Sequence, residues 1–151
     1  MLRGFESVTS KLKLELHTRH PALSTLFGLV MKLETHKDLF KHRDFALSLP
    51  GAIEDFPHGH SVIKVGKKVF AFLGQNEAGR PSIALKLPQS FHHVLNSKAG
   101  EPTEYGLGRH GWATIEVDKK NSARERMIKN WILESYRAIA PKKLIAELDA
   151  S

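Results

Sequence analysis

The residue order predicts an α+β chain in which an antiparallel β-meander and a hairpin lie between helical segments. Three observations predict it. Apolar residues recur at three- and four-residue spacing before residue 48 and again after residue 121; short alternating or β-branched runs fill the span between them; and glycine or proline breaks separate those runs. With 151 residues and 41% apolar content, the chain suffices for one domain with a core and, at most, an appendage.

In chain order, Lys11 to His17 alternates polar and apolar residues, which favours a half-buried strand, although Leu, Lys and Glu also suit helices. After Pro21, Leu23, Leu26, Phe27, Val30 and Leu33 share one helical face. Met31 is an alternative start, so residues 1–34 are expected to be an accessory segment and residues 35–151 the domain proper. A helix follows Thr35, with Leu39, Phe40, Ala46 and Leu47 on its apolar side and Lys37, Lys41, His42 and Arg43 mostly elsewhere; Pro50 and Gly51 stop it. Strands are expected over Ser61 to Val65, Lys68 to Leu73 and Pro81 to Leu87. Gly66-Lys67 is expected as a two-residue type II′ turn. Pro88 suits the first position of a short helix carrying Phe91, Val94 and Leu95 inward. Tyr105 to Val117 reads as a second hairpin bent at Gly108-Arg109-His110-Gly111. Ser122 and Glu125 have capping-box spacing, and Met127, Ile128, Trp131, Ile132, Ser135 and Ile139 continue a helix that Pro141 ends. This helix is expected to pack on the sheet with Met127, Ile128, Trp131 and Ile132 against Val69, Ala71, Ile83 and Leu85. A last helix carries Leu144, Ile145 and Leu148.

Composition narrows the function. There are no cysteines, which excludes disulfides, thiolate zinc sites and cysteine nucleophiles. Twenty-three Lys and Arg against 16 Asp and Glu give a formal charge of +7, a bias toward polyanionic partners. The excess is local: between Lys64 and Lys98 lie Lys67, Lys68, Arg80 and Lys86 against the single acid Glu77. The longest uncharged apolar run, Ala22 to Met31, is about half of what a membrane-spanning helix needs. Glu6, Glu15 and His17 spoil a secretory leader. The expectation is a cytoplasmic protein without a membrane span.

Ser48-Leu49-Pro50-Gly51, Glu54-Asp55-Phe56-Pro57-His58-Gly59, Val69-Phe70-Ala71-Phe72-Leu73, Ser82-Ile83-Ala84-Leu85-Lys86, Gly108 to Thr114 and Pro141-Lys142-Lys143-Leu144 stand in that order along the chain. Together these stretches resemble the MmcQ/YjbR family, over about Thr35 to Leu148. Many members carry a His directly before the Trp; here Gly111 holds that place and His110 lies one residue earlier. The resemblance implies an α+β fold of the CyaY-like, double-wing type and a DNA-binding role. Residues 1–34 receive nothing from it, and self-association through them is left open.

The expected nucleic-acid-binding residues are Lys64, Lys67, Lys68, Arg80, Lys86, Arg109 and His110, all on strands, strand ends or bends, where cations reach phosphate oxygens. Solvated lysines guarding an edge strand give the same pattern. Arg109 is the strongest single choice because glycines flank its bend. Trp112 offers a ring for base stacking, although a sheet tryptophan is more often buried. Lys142 and Lys143 open a helix whose dipole they oppose, which suits an external anion or, equally, two exposed lysines. Among nine histidines, His58 and His60 have ligand spacing if they lie on a strand, with Glu54 or Asp55 as a third donor. No cofactor and no metal are expected. The first helix sets Lys37, Lys41, His42 and Arg43 against Asp38 and Asp44, which lacks the acidic ridge of iron-binding relatives of this fold. No phosphate-cradling glycine loop, nucleophile elbow or convincing carboxylate pair is visible, so no enzyme is expected. The leading function is a small non-enzymatic DNA-binding protein of low sequence specificity. The alternative is a protein- or small-ligand-binding module with a pocket between the sheet and the long C-terminal helix.

Overall fold

The computed structural model describes residues 37–117 and 121–151. The expected strand at 11–17, the helix after Pro21 and the accessory segment 1–34 lie outside them. The chain runs α1 (Lys37–Leu47), β1 (Ala52–Asp55), β2 (Val62–Val65), β3 (Lys68–Gln75), β4 (Pro81–Lys86), α2 (Phe91–Asn96), β5 (Gly100–Pro102), β6 (Trp112–Glu116), α3 (Ser122–Ile139) and α4 (Lys142–Ala150). Single 3₁₀ turns cover Pro57–Gly59 and Leu107–His110. The fold is therefore α+β. All six strands form one antiparallel sheet in the order β1-β2-β3-β4-β6-β5. No helix of the described residues is long and apolar enough to cross a membrane.

Local chemistry accounts for the connections. Leu49 C=O accepts from Ala52 N–H at 3.1 Å, with Pro50 and Gly51 (φ +72°) between them, as a type II turn requires. Val65 pairs with Lys68, which leaves Gly66 (φ +65°) and Lys67 as the two-residue turn expected.

The core forms where α1 and α3 pack on each other and on β3 and β4. Ile128, Trp131, Ile132 and Tyr136 of α3 are buried with Ile63, Phe70, Ala71, Ile83, Leu85 and Ile115 of the sheet. A bulge adjusts this packing. Ile63 faces Ala71 and Lys64 faces Val69, so Phe70 is the extra residue. Its ring meets Tyr136 edge-on, centroids 5.4 Å apart. Its carbonyl would lose a ladder partner, but the buried Ser135 hydroxyl donates to Phe70 O at 2.6 Å and accepts from Lys86 N–H at 2.9 Å. One side chain thus bridges β3 and β4 just beyond the Ala71–Leu85 pair, beside the bulge that interrupts the β2–β3 ladder.

Several expectations need correction. Phe70 is fully buried while Val69 is only half-buried, because the bulge overrides strict alternation. Met127 is 39% exposed and lies outside the packed stripe of α3. His42 is buried with Leu39 and Ala46, positions i, i+3 and i+7 of one helical stripe, and burial lowers its pKa. The cap of α3 is Asn121, whose side chain accepts from Ala123 N and Arg124 N, rather than Ser122. Helix α2 begins at Phe91, leaving Pro88 in the preceding turn. The partner of β6 is Gly100–Pro102, and residues 103–111 form the loop joining β5 and β6 in place of a tight bend at Gly108. Gly100 enters the sheet because an added Cβ would lie 2.6 Å from Thr114 O.

Candidate nucleic-acid interface

Antiparallel register decides which cations share a neighbourhood. Ala71 faces Leu85 and Lys86 faces Trp112, so the β2–β3 turn, the C-terminal end of β4 and the start of β6 occupy one end of the sheet. Lys67, Lys68, Lys86, Arg109 and His110 are all carried there. From β3 to β6 is two strand spacings, roughly 10 Å, close to the width of the DNA major groove.

Helix α4 brings two more lysines to this end. Leu144 lies against Gly51, where an added Cβ would come within 2.8 Å of Leu144 Cδ1, and Pro141 Cγ lies 3.9 Å from the Cβ position of Gly66. Lys67 and Lys68 therefore adjoin Lys142 and Lys143, four exposed ammonium-bearing residues on two elements far apart in sequence. None of the four has an ion-pair partner among the described residues. No side chain caps the start of α4, and although Leu144 N–H donates to Pro141 O at 3.0 Å, the first N–H groups, those of Lys142 and Lys143, lie at the positive end of the helix, which adds to the same field.

Other members of the expected set lie elsewhere or are compensated. Lys64 donates to Asp55 Oδ2 at 2.7 Å, which holds the exposed Asp55 carboxyl below the ordinary range. Arg80 sits in the β3–β4 turn at the opposite sheet end, about 17 Å away along β4, and pairs with Glu116 Oε1 at 3.5 Å. Arg109 and His110 are exposed on the 3₁₀ turn, with the Arg109 guanidinium folded beside Gly106, Nη2 lying 3.2 Å from its Cβ position. Gly108 is required by its own loop, since a Cβ there would come within 2.8 Å of Pro102 Cβ. Trp112 is 7% exposed and packs edge-on with Phe72, so its ring is not offered to a base.

The loop from 103 to 111 is braced at both ends. Thr103 N–H donates to Trp112 O at 3.0 Å, Gly108 N–H to Thr103 O at 2.9 Å, and Leu87 N–H to Gly111 O at 2.8 Å. Within it, Leu107 N–H donates to Glu104 O across Tyr105 (φ +59°) and Gly106 (φ +78°), which is a type I′ turn. Glu104 shares a hydrogen bond with Glu77 of the β3–β4 turn; that bond and the Glu77 charge raise its pKa.

His58 and His60 do not form the expected strand pair. His58 lies in the Pro57–Gly59 turn with φ +57°, so the period-two spacing fails. No group of three or more potential metal-ligating side chains occurs among the described residues. Glu54 is engaged otherwise: Arg43 Nε donates to its Oε2 at 2.7 Å, Arg43 Nη2 donates to its Oε1, and the Ser61 hydroxyl donates at 2.6 Å. Burial pushes the Glu54 carboxyl up, but those hydrogen bonds and the Arg43 charge outweigh it and leave the pKa below the ordinary range.

Sequence reasoning identified Lys67, Lys68, Lys142 and Lys143 without showing that the two pairs meet. It missed Tyr105, although the Tyr-Gly step in a glycine-rich stretch was a turn signal. A family model described as YjbR matches residues 47–138, well over half of the chain. A search of curated proteins returns no match.

Proposed function

The chain belongs to the YjbR family, and from that premise we propose that it is a small non-enzymatic DNA-binding protein that grips phosphates with the basic end of its sheet. Residues Lys67, Lys68, Lys142 and Lys143 form the centre of the contact, and Lys86, Arg109 and His110 extend it across β4 and β6. The observation that carries this reading is the convergence of four uncompensated lysines at the Gly66–Pro141 junction. Lysines are point charges on flexible stems, so they favour phosphate contact over base readout, and sequence specificity is low. The contrast with Lys64 and Arg80, each paired with an acid, separates the interface from ordinary surface charge.

A titration against a labelled duplex at roughly 50 and 200 mM salt tests this. Four phosphate contacts give a log–log slope of about −3.6 and an affinity loss of about 150-fold between the two conditions. No binding at the lower salt would reject the reading and promote the protein- or small-ligand-binding alternative. That alternative gains nothing from the space between the sheet and α3, which Ile128, Trp131, Ile132, Ile83 and Leu85 fill.

A further inference from the structure

Tyr105 breaks a local rule without any packing in return. The first central position of a type I′ turn needs positive φ and is ordinarily Asn, Asp or Gly; a tyrosine there is energetically costly. Buried contacts do not offset that cost, because Tyr105 is 96% exposed, the most exposed of the large apolar side chains among the described residues. The turn is nonetheless held firmly by the hydrogen bonds that brace residues 103–111. A rigid loop thus carries a bare aromatic ring, and the Arg109 guanidinium lies beside Gly106, the next residue. The loop's two ends join β5 and β6 at the sheet end that bears the lysine cluster, while Glu104, just before Tyr105, reaches across to Glu77 of the β3–β4 turn.

We propose that Tyr105 is a stacking platform for an unpaired base, so that the preferred partner of the basic end is DNA containing a single-stranded segment. This rests on the phosphate-binding reading above and deepens it. An aromatic ring stacks on any base, because every base has a π-face, and it contributes nothing where bases are paired inside a duplex. Arg109, whose guanidinium lies beside Gly106, the residue after Tyr105, is placed to meet the phosphate of the stacked nucleotide, while the four lysines hold the backbone that continues from it. Unlike the buried Trp112, Tyr105 needs no rearrangement of the sheet to reach a base.

The test compares the full chain with Tyr105→Ala, Tyr105→Phe and Tyr105→Gly on an oligothymidine of about 20 bases and on a duplex of the same length. Wild type is expected to bind the single strand more tightly than the duplex. Tyr105→Ala and Tyr105→Gly are expected to lose about tenfold or more on the single strand with little change on the duplex, and Tyr105→Phe to keep wild-type affinity. Tyr105→Gly is also expected to raise the Tm by about 2–4 °C, since glycine accepts positive φ freely, so that lost binding and gained stability appear in one variant. Equal losses on both probes, or no loss on the single strand, would overturn the stacking role and leave the lysine contact intact. Wild type that binds neither probe at low salt would overturn both.

Discussion

Replacing Lys142 and Lys143 together by glutamate separates binding from folding. At the first turn of α4, two cations oppose the helix dipole and two carboxylates favour it. The double variant should therefore be more stable than wild type by roughly 1–2 kcal/mol at low salt. Its DNA affinity should fall. Each lysine that neutralises a phosphate releases about 0.9 counterion, so at about 50 mM salt each contact is worth about 1.2 decades relative to 1 M, and at about 200 mM about 0.6. Losing two contacts then costs about 200-fold at the lower salt and about 20-fold at the higher, and the slope shrinks from about −3.6 to about −1.8. Fluorescence anisotropy with a labelled oligonucleotide across a salt series gives slope and affinity together, and thermal melts give the stability. Arg80→Ala is the internal control, because Arg80 sits at the opposite sheet end and is paired with Glu116. If Arg80→Ala reduced the slope as much as the double reversal, or if the reversal left the slope unchanged, the convergence at Pro141 would have no bearing on DNA.

Two further outcomes concern the scaffold behind this surface. Ser135→Ala should lower stability by about 2–4 kcal/mol in denaturant melts, because it leaves the buried Phe70 C=O and Lys86 N–H without partners; a loss below about 1 kcal/mol would mean that the bulge closes on itself. The lowered pKa of Glu54 makes part of the stability depend on pH. That part is complete above the ordinary carboxylate value of about 4.5 and is lost as the pH falls from there through the folded value. Glu54→Gln should flatten this acid limb in melts taken from neutral pH downward, and an unchanged limb would assign the acid sensitivity to other groups.

The pattern of residues by itself determined the elements and their kind. Leu39 with Ala46, and Ile128, Trp131 and Ile132, recur at helical spacing, while Ser61 to Val65 and Pro81 to Leu87 carry β-type runs between glycine turns. These signals are local, so they survive without knowledge of what lies opposite. The YjbR resemblance was legible in part for a related reason: motifs such as Ser48-Leu49-Pro50-Gly51 sit at turns, where Gly51 has a backbone requirement that few residues meet.

Register and charge compensation were decided only by the tertiary structure, because both depend on residues distant in sequence. The bulge at Phe70 answers to Ser135 and Tyr136 on α3, and no alternation pattern within β3 encodes it. The pairing of β6 with Gly100–Pro102 follows from the close approach that Gly100 allows to Thr114, not from the glycines at 108 and 111 that suggested a bend. Equivalent lysines also diverge in space: Lys64 finds Asp55 across the β1–β2 ladder, whereas Lys67 and Lys68 follow Gly66, which lies against Pro141 and so near the lysines after it. A sequence carries the charge of each side chain, but Coulomb energy depends on what stands a few ångströms away, and only the folded chain sets that distance.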